Sequence, residues 1–249
     1  MNLRELINKV VFRNSKYEII KNNLISQHFS KNELKIEFEH IMAHRLMNTK
    51  DFFFIQVGAN VGISTMDPIY KSITNKTING LCLEPIPFYF NKLVENYKGL
   101  ENVSLINAAL HPSDDELAMY KIDENAIGKN GVPTWTSGIA TFDKRVMEKH
   151  GRDIPDYEKH LVTEKVKCIS FENLLTDYNV TKIDLLLIDT EGFDYEVIKM
   201  VDFNKIKPAI IRFEHKHLLK NDLFNCVDML ANIGYKLFYE EPDITAYLY

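Results

Sequence analysis

The chain has 249 residues, enough for one large domain with a substantial core. Its 45% hydrophobic and 26% charged fractions are those of an ordinary globular protein. A net charge of -5 leaves no basic footprint for nucleic acid, and no apolar run approaches the roughly 20 residues of a membrane span. Cys82, Cys168 and Cys226 are widely separated in apolar surroundings, which suits reduced, buried thiols, and no C-x-x-C pair suggests zinc. Residues 1–20 carry Arg4, Glu5, Lys9 and Arg13 and contain no signal-peptide core, so a cytoplasmic protein is expected.

Residues 1–50 lack glycine and proline. Leu3, Leu6, Ile7, Val10 and Val11 recur at helical spacing, and a second helix is predicted over Asn32–Met47. Such a helical segment could cover a sheet, pair two subunits or lie on a membrane surface; packing on the protein's own core or on a partner subunit is the expected use, and a homodimer is one outcome.

From residue 51 strands and helices alternate. The first strand is predicted at Phe52–Val57, followed by a helix over residues 61–71 that Pro68 forces to start late or irregularly. Strands follow at Asn79–Glu84 and Val103–Asn107, with a helix over Pro87–Tyr97 between them and Gly99 as its stop signal. The rhythm then breaks. Residues 108–165 hold a predicted strand at Leu117–Ile122, a polar loop over 123–138, a helix over Phe142–Lys149 and a second loop. Loops this long in a compact domain are usually functional, so this insertion is expected to shape a substrate pocket. The alternation resumes with a strand at Lys165–Ile169 and a helix over Phe171–Tyr178. The apolar strand Ile183–Ile188, a helix over Phe193–Met200, the strand Ala209–Phe213 and a helix over Leu223–Ala231 come next. Two final strands, Tyr235–Glu240 and Ile244–Leu248, are joined by a short loop with proline and read as an antiparallel hairpin. The domain division is thus a helical segment over 1–50 and an α/β domain over 51–249. Parallel strands with crossover helices make a doubly wound sheet. One reversed strand near its end resembles the class I S-adenosylmethionine-dependent methyltransferase fold.

The first strand runs into Gly58-Ala59-Asn60-Val61-Gly62. Ligands of open α/β sheets sit beyond the carboxyl ends of the strands, and a glycine turn there lets a ligand approach the backbone. A dinucleotide fingerprint would read G-x-G-x-x-G; here Asn60 takes the middle position and the third glycine is absent. A tight turn without a ligand is the plainer alternative. Glu84, ending the second strand, can accept hydrogen bonds from both hydroxyls of a ribose, whichever nucleoside carries it; a solvated strand-end carboxylate is the alternative. Asn107 is placed for an adenine edge. Asp189-Thr190-Glu191-Gly192 and Glu214-His215-Lys216-His217 end two further strands at the same lip. The acidic pair could also cap the next helix, but a carboxylate beside so apolar a run is costly unless hydrogen-bonded or used. A histidine there can take a proton near neutral pH, or can simply be a surface residue.

Four stretches, FFFIQVGANVG, LCLEPIPFYFNKLVENY, VSLINAAL and IDLLLIDTEGFDYEVIK, together resemble the FkbM-type methyltransferase family over about residues 50–215. The resemblance implies a Rossmann-like fold, S-adenosylmethionine as cofactor, and methylation of hydroxyl oxygens on sugars or polyketide-type natural products. It places the cofactor on Gly58, Asn60, Gly62, Glu84, Asn107 and Ala108, and matches Asp189 and Glu191 to the signature after the fourth parallel strand; Gln56, Pro85 and Asp189 are expected to join the cofactor site. The family often has an aspartate where this chain has Gln56, and a lysine where it has Leu187. Methyl transfer to a sugar hydroxyl benefits from a general base, expected to be His215 with Glu191 or Asp189 as rivals. Trp135, Ser137 and His215 are expected to contact the acceptor, a glycan or small molecule. Asp67, Asp189, Glu191 and His215 could converge on Mg²⁺, but no ligand spacing demands it and no metal is expected. A nicotinamide-dependent oxidoreductase and a non-catalytic methyltransferase-like module are the competing readings.

Overall fold

A computed structural model of the chain describes residues 38–63, 67–240 and 242–248. The helix predicted around Leu3–Val11 and the first part of the second helix lie outside the described residues. The rest of that second helix is α1, Phe38–Asn48.

The main sheet has seven strands: β1 (Phe53–Val57), β2 (Asn79–Leu83), β3 (Val103–Ile106), β8 (Leu185–Ile188), β9 (Ile210–Glu214), β10 (Lys236–Glu240) and β11 (Asp243–Tyr247). Their order is β3-β2-β1-β8-β9-β11-β10. The pairs along β3-β2-β1-β8-β9 are parallel, and β11 lies antiparallel between β9 and β10. This is the doubly wound, mostly parallel class I methyltransferase sheet with its reversed strand. The strand order turns back between β1 and β8, and a crevice opens at such a switch point.

The apolar runs are continuous because both faces are covered. Ile55, Val57, Leu81, Leu83, Leu186 and Ile188 pack on one face with residues of α6 (Phe171–Asp177), α7 (Asp194–Lys199) and α8 (Lys220–Ile233). Phe54, Cys82, Leu185 and Leu187 pack on the other with α1, α2 (Tyr70–Thr74) and α3 (Pro87–Asn96). Pro68 explains why α2 is only five residues long: it falls before the helix rather than inside it.

The insertion departs from expectation. It builds a second sheet, in the order β4-β7-β5-β6, from β4 (Ala109–Leu110), β5 (Glu116–Ile122), β6 (Ala140–Thr141) and β7 (Leu161–Ile169). The strand expected at Lys165–Ile169 is the second half of β7, and it joins this sheet rather than the main one. Strands β5 and β7 pair antiparallel over their length. Between β5 and β7 run a 3₁₀ turn over Thr134–Gly138, α4 (Lys144–Gly151) and α5 (Tyr157–His160). No helix among the described residues is long and apolar enough to cross a membrane.

Candidate active site

The glycine turn is shaped by strand ends that crowd together. The amides of Gly58 and Ala59 both donate to the Leu83 carbonyl, at 3.0 and 2.9 Å, and the Asp189 amide donates to Val57 at 2.9 Å. Gly58 has φ +87°, and a Cβ there would overlap the Asp189 carbonyl oxygen. Only glycine lets β8 pass so close. Asn60 is left-handed at φ 48°, a region asparagine tolerates; its Oδ1 accepts from the Val61 amide at 2.8 Å, and its Nδ2 donates to the Ser137 carbonyl at 3.2 Å. This side chain ties the first turn to the insertion.

Glu84 is buried. Its Oε2 accepts from the Asn60 amide at 2.8 Å and its Oε1 from the Ile86 amide at 2.9 Å. Each oxygen keeps a lone pair for a further donor. Burial outweighs these two bonds and pushes the carboxyl up to about 7.

Across the crevice, Asp189 and Glu191 end β8. The Asp189 side chain opens onto the cleft. Surrounding protein, then Asp243 and Asp67, raise its carboxyl above the usual aspartate range. Burial, then the neighbouring Asp189 and Glu214, raise Glu191 well above the usual carboxylate range. Glu214 is raised to about 8, first by burial and then by Asp189 and Asp194. Buried Asp194 organises the loop: its Oδ2 accepts from the Thr190 hydroxyl at 2.8 Å and the Gly192 amide at 3.3 Å, and its Oδ1 from the Glu214 amide at 3.2 Å. Glu191 itself sits at φ 52°, and the buried Thr141 hydroxyl of β6 donates to its carbonyl at 2.9 Å.

A cavity of about 150 Å³ opens between these two sides. Val57, Gly58, Asn60, Glu84 and Pro85 form one side, and Asp189, Thr190 and Glu191 the acidic side. The second sheet supplies the remaining wall through Ala109, Leu110, Met119 and Ala140, joined by Ser137 and Phe142. An apolar slot with a buried carboxylate at one end fits a nucleoside.

The FkbM methyltransferase domain matches residues 56–237, which take in the glycine turn, Glu84, both carboxylates of β8 and the whole insertion. The chain belongs to the FkbM methyltransferase family. This methyltransferase uses S-adenosylmethionine. No curated protein sequence matches it. Among solved structures it is similar to a methyltransferase FkbM from Methylobacillus flagellatus, at 11% identity and TM-score 0.46, over 89% of this chain and 46% of that one. It is also similar to a precorrin-6y C5,15-methyltransferase from Geobacter metallireducens, at 14% identity and TM-score 0.41, over 90% and 95% of the two chains. A third similarity is to an S-adenosylmethionine-dependent O-methyltransferase from Thermotoga maritima, at 10% identity and TM-score 0.42, over 90% and 69%.

Of the residues expected at the site, Gly58, Asn60, Glu84, Pro85, Ala108, Ser137, Asp189 and Glu191 line the cavity of the FkbM methyltransferase. Five do not. Gln56 points into the opposite face of the sheet, donating through Nε2 to Asp67 at 3.1 Å, so Asp67 serves as its partner. Gly62 admits Leu93 and Tyr97 of its own helical layer, where a Cβ would collide, so its role there is packing. Asn107 spends both amide protons on the Glu84 and Pro85 carbonyls, at 2.9 and 3.0 Å, and so holds the β2–α3 turn. Trp135 stays 45% exposed against His150, outside the cavity. His215 is buried with its ring 4.8 Å from that of Tyr239, facing away from the crevice. A turn in which the Leu218 amide donates to the His215 carbonyl brings His217 back to the site instead.

Sequence reading missed Asp194, Thr141, Phe142 and His150. Asp194 carried a signal, since its acidic side chain opens a helix directly after a glycine loop. Thr141 and Phe142 carried none, because they reach the site through the unforeseen second sheet, and His150 carried none because its place depends on how α4 docks.

Proposed function

We propose that this FkbM-family protein is an O-methyltransferase acting on a hydroxyl of a sugar, a glycan or a related natural product. The observation that supports this reading is a single crevice with two chemically distinct ends. Glu84 and the Gly58–Asn60 backbone stand at one end, and Asp189 and Glu191 at the other. The residues fit the cofactor. Glu84 has acceptor capacity left for ribose hydroxyls, and Pro85, Ala108 and Leu110 offer an apolar seat.

When bound, S-adenosylmethionine supplies an electrophilic methyl group on a positively charged sulfur. The chain's own contribution is to align an acceptor hydroxyl with that methyl in a crevice walled on one side by the second sheet. Asp189, whose side chain reaches the cleft, takes the hydroxyl proton in this reading, with Glu191 beside it as the alternate acceptor. His215 has no part in it. Ser137 orients the acceptor from the insertion, and exposed Trp135 offers a flat apolar face to a sugar ring beyond the cavity.

The test is methyl transfer from labelled S-adenosylmethionine to glycans and cell extracts, with products identified by mass spectrometry. Label in an O-methyl sugar is the expected result. Label only on nitrogen or carbon overturns the reading. Tight binding of S-adenosylhomocysteine without turnover on any acceptor favours the non-catalytic module.

A further inference from the structure

Helix α4 of the insertion and the turn after β9 bring two histidines to the acidic end of the crevice. His217 Nε2 stands 3.2 Å from Glu191 Oε2 and 3.7 Å from Glu214 Oε2. The His150 ring lies beside it, with centroids 4.8 Å apart. One ligand atom each from His150, Glu191 and His217 fall within 4.8 Å of one another, and Asp189, Glu191 and Glu214 form a second such group that shares Glu191.

Glu191 Oε2, Glu214 Oε2 and His150 Nε2 are all buried and make no hydrogen bond. The His217 side chain, whose Nε2 faces both carboxylates, is only 2% exposed. A buried polar atom without a hydrogen bond is costly and uncommon, and three in one cluster call for a common partner. The spacing suggests what that partner is. Two ligands about 2.1 Å from one ion stand roughly 3.0–3.4 Å apart in octahedral or tetrahedral arrangements. The His217–Glu191 approach falls inside that range, and the His217–Glu214 approach is slightly wider.

We propose that His150, Glu191 and His217, with Glu214 at the next corner, bind one divalent transition ion such as Zn²⁺ or Mn²⁺ at the rim of the cofactor cavity. Two imidazole nitrogens favour a first-row transition ion over Mg²⁺ or Ca²⁺, which prefer all-oxygen shells. This departs from the sequence reading, which expects no metal. Glu191 lines the cavity as well, so the ion would face the incoming acceptor and polarise its hydroxyl. That last role rests on the O-methyltransferase reading; the binding site itself does not.

The experiment uses the full chain, stripped by a chelator and titrated separately with Zn²⁺, Mn²⁺ and Mg²⁺ by calorimetry. S-adenosylhomocysteine binding is measured in parallel, so that a failed ion site and a failed cofactor site are told apart. One equivalent of Zn²⁺ or Mn²⁺ is expected, with affinity weakened at least about tenfold in His217→Gln and His150→Gln. X-ray absorption of the Zn²⁺-loaded wild type should show two imidazole ligands, a readout that holds even where a variant fails to fold. Absence of stoichiometric binding, binding undiminished in both folded variants, an all-oxygen shell, or a preference for Mg²⁺ overturns the proposal.

Discussion

Gln56 and Leu187 stand directly opposite each other across β1 and β8. Both are buried. The family resemblance implies an aspartate and a lysine at these two positions, and the register places the two side by side. An aspartate and a lysine here would form a buried cross-strand pair, and losing only one of them would strand a charge. Losing both leaves a neutral amide against an apolar chain, with Asp67 accepting from Gln56. Restoring one charge should therefore cost more than restoring two. Gln56→Asp is expected to lose about 2–4 kcal/mol, because its carboxylate would be buried beside Asp67. Adding Leu187→Lys should recover about 1–3 kcal/mol as a coupling energy. Urea denaturation of the wild type, both single variants and the double variant gives the cycle, and strictly additive losses would refute the pairing.

Glu84 links pH to cofactor affinity. Its buried carboxyl is raised to about 7, and donors such as ribose hydroxyls favour the ionised form. Affinity for S-adenosylhomocysteine should rise from pH 6 to pH 8 as the proton leaves, then level off. The stability of the ligand-free protein runs the other way. Between the ordinary glutamate value of 4.5 and about 7 the native state keeps a proton that the unfolded chain has lost, so the contribution of Glu84 to stability falls as pH rises through that window. Glu84→Ala should weaken binding at least about tenfold by removing charge-assisted bonds of about 1.5–3 kcal/mol, and should flatten the pH dependence of affinity. Calorimetry across the pH range checks both; an unchanged pH profile in the variant would assign the effect to another group.

Thr141 tests whether the insertion positions the acidic loop. Its buried hydroxyl donates to the carbonyl of Glu191, a residue held in a left-handed conformation. Thr141→Val keeps the shape but removes both this donor and the acceptor of the Asp143 amide at 3.1 Å. It should cost about 1–2 kcal/mol in stability. It should also lower kcat while leaving S-adenosylhomocysteine affinity near wild type, because the glycine turn and Glu84 are untouched. Thr141→Ser should restore turnover. Equal losses in both variants would mean that packing of the methyl group, not the hydrogen bond, matters here.

The central strands were legible because β8 is buried on both faces and reads as an unbroken apolar run, and β1 and β2 are nearly so. Glu84, Asp189 and Glu191 were legible because polar side chains directly after such runs must lie at the carboxyl edge of the sheet. The second sheet was not. Strand β7 pairs with β5 residues far away in the chain, and half of it, Leu161–Glu164, carries no local apolar pattern. Sequence position does not separate His215 from His217 after β9; the turn closing at Leu218 is what brings His217 to Glu191. Convergence of His150 with His217 depends on that turn and on the docking of α4 together, and neither is written in any local spacing.

The anchor of α1 yields the last prediction. Asp184, fully buried just before β8, accepts from Arg45 Nε at 2.9 Å and Nη2 at 2.6 Å, and from the Phe53 amide at 2.9 Å. Lys182 adds a contact at 3.2 Å from the outside. The carboxylate thus joins α1, β1 and β8 at the amino end of the sheet, the edge away from the crevice. Arg45→Ala removes the two-pronged partner but leaves Lys182, so a loss of about 1–3 kcal/mol is expected. Asp184→Ala should cost at least as much, because it strands the Phe53 amide and the arginine together. Since this pair lies at the opposite edge from the site, S-adenosylhomocysteine affinity measured well below the melting temperature should stay unchanged in both variants. A fall in affinity without a fall in melting temperature would show that α1 communicates with the crevice and would refute a purely structural role.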